Sequence, residues 1–460
     1  MCGEQQYSIA SILILLLNLA AQAQTVTSLQ ERLAAATPGD TLRVTDGLYA
    51  GPLRITKPVI LLGEGVPVID GQGRGTVVTI EAPDVLLQGF IIRNSGRILD
   101  QDDAGITVKA PRVTIADNQI ENVLFGIYLS QADSCRIVRN LIKGDPTLDM
   151  ARRGDLIRLW YSHNVHILDN TIYQGRDVVI WFSKGVVLRG NTIAFSRYGQ
   201  HFMYSDNALI EQNRLLYNSV GAYLMYSRGL TFRQNLLAYN RHASGFGIGL
   251  KDMDDVILEN NAIVDNQIGI FVDSSPRALD SQIRYQKNVL AYNDVGLQTL
   301  GPVARSRFEN NSFIENYEQV DILGGGQFTE SSGSFWQQNY WSDYRGYDVD
   351  RDGVGELPYQ AVALFDTLTD QTPTLRWFAF SPVVQALELA SRAFPIVRPV
   401  PKLIDPQPHM RPFYPSGLPV SQPSPRIVLM ITSLLLLFLS GLLLRSRLQP
   451  LKSPYEPVTD

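Results

Sequence analysis

Residues 199–240 say nearly the same thing twice. Gly199-Gln-His-Phe-Met-Tyr-Ser returns as Gly221-Ala-Tyr-Leu-Met-Tyr-Ser, and Glu211-Gln-Asn-Arg-Leu-Leu-Tyr-Asn returns as Arg233-Gln-Asn-Leu-Leu-Ala-Tyr-Asn. Met203 to Met225 is 22 residues, as is Asn213 to Asn235. A unit of that length cannot bury an alternating apolar face alone; it must stack on its neighbours, which is the signature of a solenoid. An Asn two residues before an apolar one marks the same point of each coil, at Asn118, Asn140, Asn170, Asn191, Asn213, Asn235, Asn261, Asn288 and Asn311. Most intervals are 21–23 residues, and the longer ones carry loops. An Asn repeated at a corner can bond the same amide one rung away, so these residues are read as structural.

The short apolar runs between these marks alternate with period 2. The chain is therefore read as all-β, a right-handed parallel β-helix of about 22-residue rungs over 59–345. Glycines at Gly105, Gly126, Gly221, Gly269 and Gly296 are expected to relieve the bend where each rung enters a new strand. Residues 24–58 form an N-terminal cap, with a short helix begun by a Ser28/Glu31 capping box. Loops at Asn94–Ala104 and Gly144–Gly154 lengthen two early rungs, and the aromatic run Phe335–Tyr347 plugs the far end.

Beyond the coil lie an Asp-rich loop (346–360), a helical segment (361–394) and a proline-rich stretch (395–425). If extended at 3.1 Å per residue, that stretch is a spacer of roughly 95 Å. Residues 427–444 are uncharged and long enough for one transmembrane helix. The basic residues after them place the tail 445–460 in the cytoplasm. An apolar run followed by Ala21-Gln-Ala23 makes 1–23 a signal peptide, although its n-region lacks Lys and Arg. Cys2 leaves with it, so Cys135 has no disulfide partner and is read as a small buried hydrophobe. A net charge of −5 without basic clusters gives no sign of nucleic-acid binding.

Register decides which side chains can carry chemistry. Counting back from each Asn puts Leu159, Ile180, Phe202 and Leu224 inside the coil. Alternation then turns Arg158, Trp160, Val179, Trp181, His201, Met203, Tyr223 and Met225 outward. Rungs stack about 4.8 Å apart, so His201, Met203 and Met225 fall within reach of one ion. Two thioethers and an imidazole suit Cu(I), bound transiently, while packing or partner contact is the competing reading. A second motif, Asp348-Val-Asp350-Arg-Asp352-Gly-Val354-Gly-Glu356, resembles the start of a Ca²⁺ loop, with Tyr359 where the closing Glu belongs. An acidic turn closing the coil is its alternative. No catalytic residue is assigned. Asp102-Asp103 and Asp254-Asp255 are carboxylate pairs without an evident His or basic partner.

Several blocks together resemble the nitrous-oxide reductase maturation protein family NosD: Pro38-Gly-Asp-Thr-Leu, Ile69-Asp-Gly-Gln-Gly-Arg-Gly-Thr, Ile91-Ile-Arg-Asn-Ser-Gly, Asn122-Val-Leu-Phe-Gly-Ile-Tyr-Leu, His201-Phe-Met-Tyr-Ser, Leu224-Met-Tyr-Ser and Asn339-Tyr-Trp-Ser-Asp. The resemblance spans about 28–395 and implies a periplasmic, exported accessory protein for copper-site assembly. Its implied partners are the membrane subunit and ATPase of an ABC transporter, a copper chaperone lipoprotein and apo nitrous oxide reductase. A C-terminal membrane helix departs from most of the family. The rival classes are a β-helix carbohydrate-active enzyme (lyase, epimerase or hydrolase) and a cell-surface binding scaffold.

Overall fold

The computed structural model describes residues 28–242, 244–361 and 401–415, with isolated positions at 374, 381–383, 386 and 433. The expected signal peptide and tail lie outside the described residues, as does nearly all of the expected membrane helix and helical segment. Among the described residues no helix is long and apolar enough to cross a membrane.

The strands form two sheets of thirteen and one of twelve, and strands adjacent within each sheet pair in parallel. This is the expected parallel β-helix, with three sheets meeting at corners: A from Thr41–Val44 to Phe335–Gln337, B from Gly47–Ala50 to Tyr340–Trp341, and the twelve-stranded C from Leu53–Ile55 to Glu318–Leu323. Leu129, Leu159, Ile180, Phe202 and Leu224 pair in register down sheet C and are all 0% exposed. Each such burial contributes roughly 1.5–3 kcal/mol. The helix Leu29–Ala35 carries the full Ser28/Glu31 capping box and buries Leu29 and Leu33 on the N-terminal end. Cys135 is buried, and burial pushes its thiol up to about 11, which leaves it inert.

Polar ladders run down the corners. The backbone and side-chain nitrogens of each Asn, from Asn118 to Asn311, donate to the carbonyl of the next, at 3.0 and 3.0 Å between Asn213 and Asn191's partner atoms. A second amide ladder links Asn218, Asn240, Asn266, Asn293 and Asn316 after sheet B. Ser162, Ser183, Ser205 and Ser227 form a hydroxyl ladder after sheet C. These bonds satisfy corner amides that the strand pairing cannot reach.

The repeated glycines have a different cause from the one expected. A Cβ at Gly126 would sit 2.1 Å from the Leu156 carbonyl oxygen of the next rung, and one at Gly221 would sit 2.5 Å from that of Gly247. Their φ angles are ordinary, so what they permit is close approach of successive rungs rather than a bend.

At the far end, part of the stretch read as a spacer is folded. Leu403–Asp405 pairs antiparallel with Tyr359–Ala361. Asp405 is 0% exposed and terminates the first Asn ladder, accepting from the Asn339 backbone and amide and from Trp341 Nε1 at 2.9, 3.0 and 3.2 Å. Lys402 pairs with Glu318 at 2.6 Å, and Phe413 and Ser312 exchange hydrogen bonds. Residues 401–415 thus strap the end of the coil. Beneath them Trp341, from the aromatic run expected to plug this end, stacks between Phe313 and Tyr359 at 4.3 and 4.2 Å.

Candidate functional site

The outer face of sheet C carries two neighbouring columns. One pairs Trp160, Trp181, Met203, Met225 and Lys251; the other pairs Arg158, Val179, His201, Tyr223 and Gly249. Met203 and Met225 are therefore direct partners across adjacent rungs, and His201 lies two residues before Met203 on the same face. Both methionines are half-buried. Met253 lies in the core instead.

His201 points outward as expected but is only 6% exposed. The edges of Trp181 and Tyr198 flank its ring at centroid distances of 5.6 and 5.0 Å. Its Nδ1 lies 3.4 Å from Oδ2 of Asp177, and its Nε2 is buried with no hydrogen-bond partner. A buried polar nitrogen without a partner is costly and calls for a ligand. Asp177, 1% exposed, is bridged by both terminal contacts of Arg197. Burial would raise its carboxyl, but hydrogen bonds from His201 and Arg197 outweigh that and hold it below the usual carboxylate range. One rung earlier Arg176 bridges the fully buried Asp155, whose carboxyl burial pushes up. The charges beside the strip are thus paired off. What remains for a ligand is an imidazole nitrogen and thioethers, a neutral soft donor set that fits Cu(I).

Two loops wall the strip on its early side. Arg97 and Asp145 join them at 2.8 Å, and Leu148 and Tyr128 pack on the cluster of Ala104, Leu124 and Phe125. Arg158 lies over the Phe125, Tyr128 and Trp181 rings and pairs with Asp102 at 2.9 Å. Of the other carboxylate pair, Asp254 accepts from Ala278 N and Asp255 binds Arg228. These carboxylates are taken up in holding loops.

The same rungs carry aromatics at left-handed corner positions. Tyr161, Phe182, Tyr204 and Tyr226, with φ of 48–52°, stack at 4.9, 5.2 and 5.1 Å just after sheet C. Phe195, Tyr217 and Tyr239 do the same just after sheet B, at 5.3 and 4.8 Å. Bulky residues rarely adopt that conformation, and equivalent corners elsewhere use Gln131, Asp252 or Ser274.

The Asp-rich loop lies at the strapped end, away from sheet C's strip. Asp348, Asp350 and Asp352 bring ligand oxygens within 4.8 Å of one another, and Asp348 Oδ1 has no partner. The Glu356 carboxylate is not among them and accepts from Val349 N at 3.4 Å, while Val354 N donates to Asp352. His409 and Met410, a second His–Met pair, lie in the strap. The His409 ring meets Gly353 O and Asn310 Oδ1 at 3.4 and 3.3 Å, so both nitrogens have partners.

A family model described as periplasmic copper-binding protein (NosD) matches residues 138–346, the span that holds the strip. A Pseudomonas aeruginosa protein named "Probable ABC transporter binding protein NosD" is 32% identical over 412 residues, covering 82% of this chain and 89% of its own length. One of the same name from Stutzerimonas stutzeri is 30% identical, covering 85% and 92%. Among solved structures, a Yersinia enterocolitica family 28 exopolygalacturonase is similar at a TM-score of 0.49 and 12% identity, covering 65% of this chain and 76% of that one, too remote to bear on function. On the strength of relatives matched over most of both lengths, the chain belongs to the NosD family.

Proposed function

We propose that the His201–Met203–Met225 strip binds Cu(I) transiently in the periplasm and passes it on during copper-site assembly of nitrous oxide reductase. In this reading the protein works with an ABC transporter, receives copper from a chaperone lipoprotein and serves the apo-reductase. One observation carries it: the buried, unpartnered Nε2 of His201 on the same face as Met203 and Met225, which pair across adjacent rungs. The copper-binding description of the family and the transporter named for its relatives support it.

The test is anaerobic Cu(I) competition titration of the full chain against Met203→Leu/Met225→Leu. Leucine keeps the volume, so stability should change by less than about 1.5 kcal/mol. Loss of two thioethers should weaken binding by about two orders of magnitude, roughly 2.8 kcal/mol. Equal affinity would leave these methionines as packing or partner-contact groups.

We further propose that Asp348, Asp350 and Asp352 hold Ca²⁺, with weaker affinity than a complete loop because Tyr359 stands where the closing Glu belongs and the Glu356 carboxylate bonds Val349 N. The loop is tied to the strap by Met410 N on Gly353 O at 3.0 Å and Gly355 N on Pro408 O at 2.8 Å. Calcium at 100 times Kd should therefore stabilise this end by roughly 2.7 kcal/mol. Thermal unfolding that is the same in Ca²⁺ and in a chelator would remove the proposal.

A further inference from the structure

Asp177 opens the strand Asp177–Trp181, and the pairing slips there. Asp177 pairs with Tyr198 while Val179 pairs with His201, so the later strand holds one extra residue between them. That slip lets a carboxylate from one rung stand behind the imidazole of the next. Asp177 is held on several sides. Arg197 grips it with Nε at 2.9 Å and a second nitrogen, and Tyr198 N donates to it at 3.2 Å. The guanidinium itself lies over the Tyr198 ring, 4.4 Å from the centroid.

A neutral imidazole carries one N–H, and its neighbours choose which nitrogen holds it. Beside Oδ2 of Asp177, a protonated Nδ1 donates to an anion. The other tautomer would set a lone pair against that anion and bury an N–H at Nε2 with no acceptor.

We infer that Asp177, backed by Arg197, is a positioning residue that fixes His201 as the Nδ1–H tautomer and so presents an unprotonated Nε2 to the strip. The tautomer follows from the local geometry alone. Its use as a metal ligand rests on the copper reading above, in which a carboxylate behind the ligating histidine orients the ring and raises its basicity.

The experiment is long-range ¹H–¹⁵N correlation on the full chain labelled at histidine nitrogen, without metal at neutral pH. The His201 signals are identified by their loss in His201→Gln. Wild type should show a protonated Nδ1 and an unprotonated Nε2; a protonated Nε2 overturns the inference, and that result does not need Asp177→Ala to fold. Asp177→Ala should populate the Nε2–H form and weaken Cu(I) binding 10–100-fold. An unchanged tautomer in that variant also overturns it, whatever copper does. If the tautomers behave as expected but His201→Gln binds Cu(I) as wild type does, the positioning stands and the copper reading falls.

Discussion

Asp405→Ala should open the C-terminal end of the coil while leaving its middle folded. The substitution removes the acceptor for three buried donors: the Asn339 backbone and amide and Trp341 Nε1. The amide keeps Phe308 O at 2.8 Å, so two groups are orphaned outright. At about 1–3 kcal/mol for each, local stability falls by roughly 3 kcal/mol. Stability in a solenoid is a sum of neighbour terms, so the loss stays near the end. Hydrogen exchange at Asn339–Trp341 should quicken roughly 100-fold, since every 1.4 kcal/mol is a factor of ten. Exchange around Asn213 should not move. Asp405→Asn keeps one acceptor oxygen and should cost less. Unchanged protection at Asn339 in the alanine variant would mean the strap is not seated through this carboxylate.

Asn235→Ala should be at least as costly, and for the opposite reason: it lies mid-ladder. Its amide donates to Ile210 O, Arg233 O and Asn261 Oδ1, and its carbonyl accepts from both nitrogens of Asn213. Alanine leaves at least the Asn213 N–H without its partner and opens a void. We expect a loss of about 3–5 kcal/mol. Because the break has folded rungs on both sides, the coil should split into two thermal transitions rather than fray. A single transition at the wild-type temperature would show that the ladder adds nothing the strands do not.

Both variants bear on what could be read from the sequence. The repeat of Asn213 at Asn235 fixed the register because a one-residue slip would turn every inward side chain outward. That is why the inward set from Leu159 to Leu224 was found. The strap was not. Its prolines carry the composition of a spacer, and nothing local reports that Asp405 meets Asn339, 66 residues away. The strip fared unevenly for a related reason. Period-2 counting placed His201 on the outer face but not under the cover of Trp181 and Tyr198. It also missed Asp177, since the slip before Val179 breaks the count on which the prediction depends. A carboxylate two residues ahead of an outward valine is the only trace of it in the sequence.

The stacked corners have a mechanical consequence. A β-helix is a spring, and its softest motion is the parting of one turn from the next. Where Met203 pairs with Met225, that motion is resisted on both flanks by columns of rings in contact, Tyr204 on Tyr226 at one corner and Phe195 on Tyr217 at the other. Ring faces used against each other leave only edges and hydroxyls for the outside, so the columns act as struts more than as platforms. Each residue in them accepts a strained backbone, at about 1–3 kcal/mol, to stand there. The pitch of the coil is therefore stiffest at the rungs where a fixed gap between two sulfur atoms would matter most.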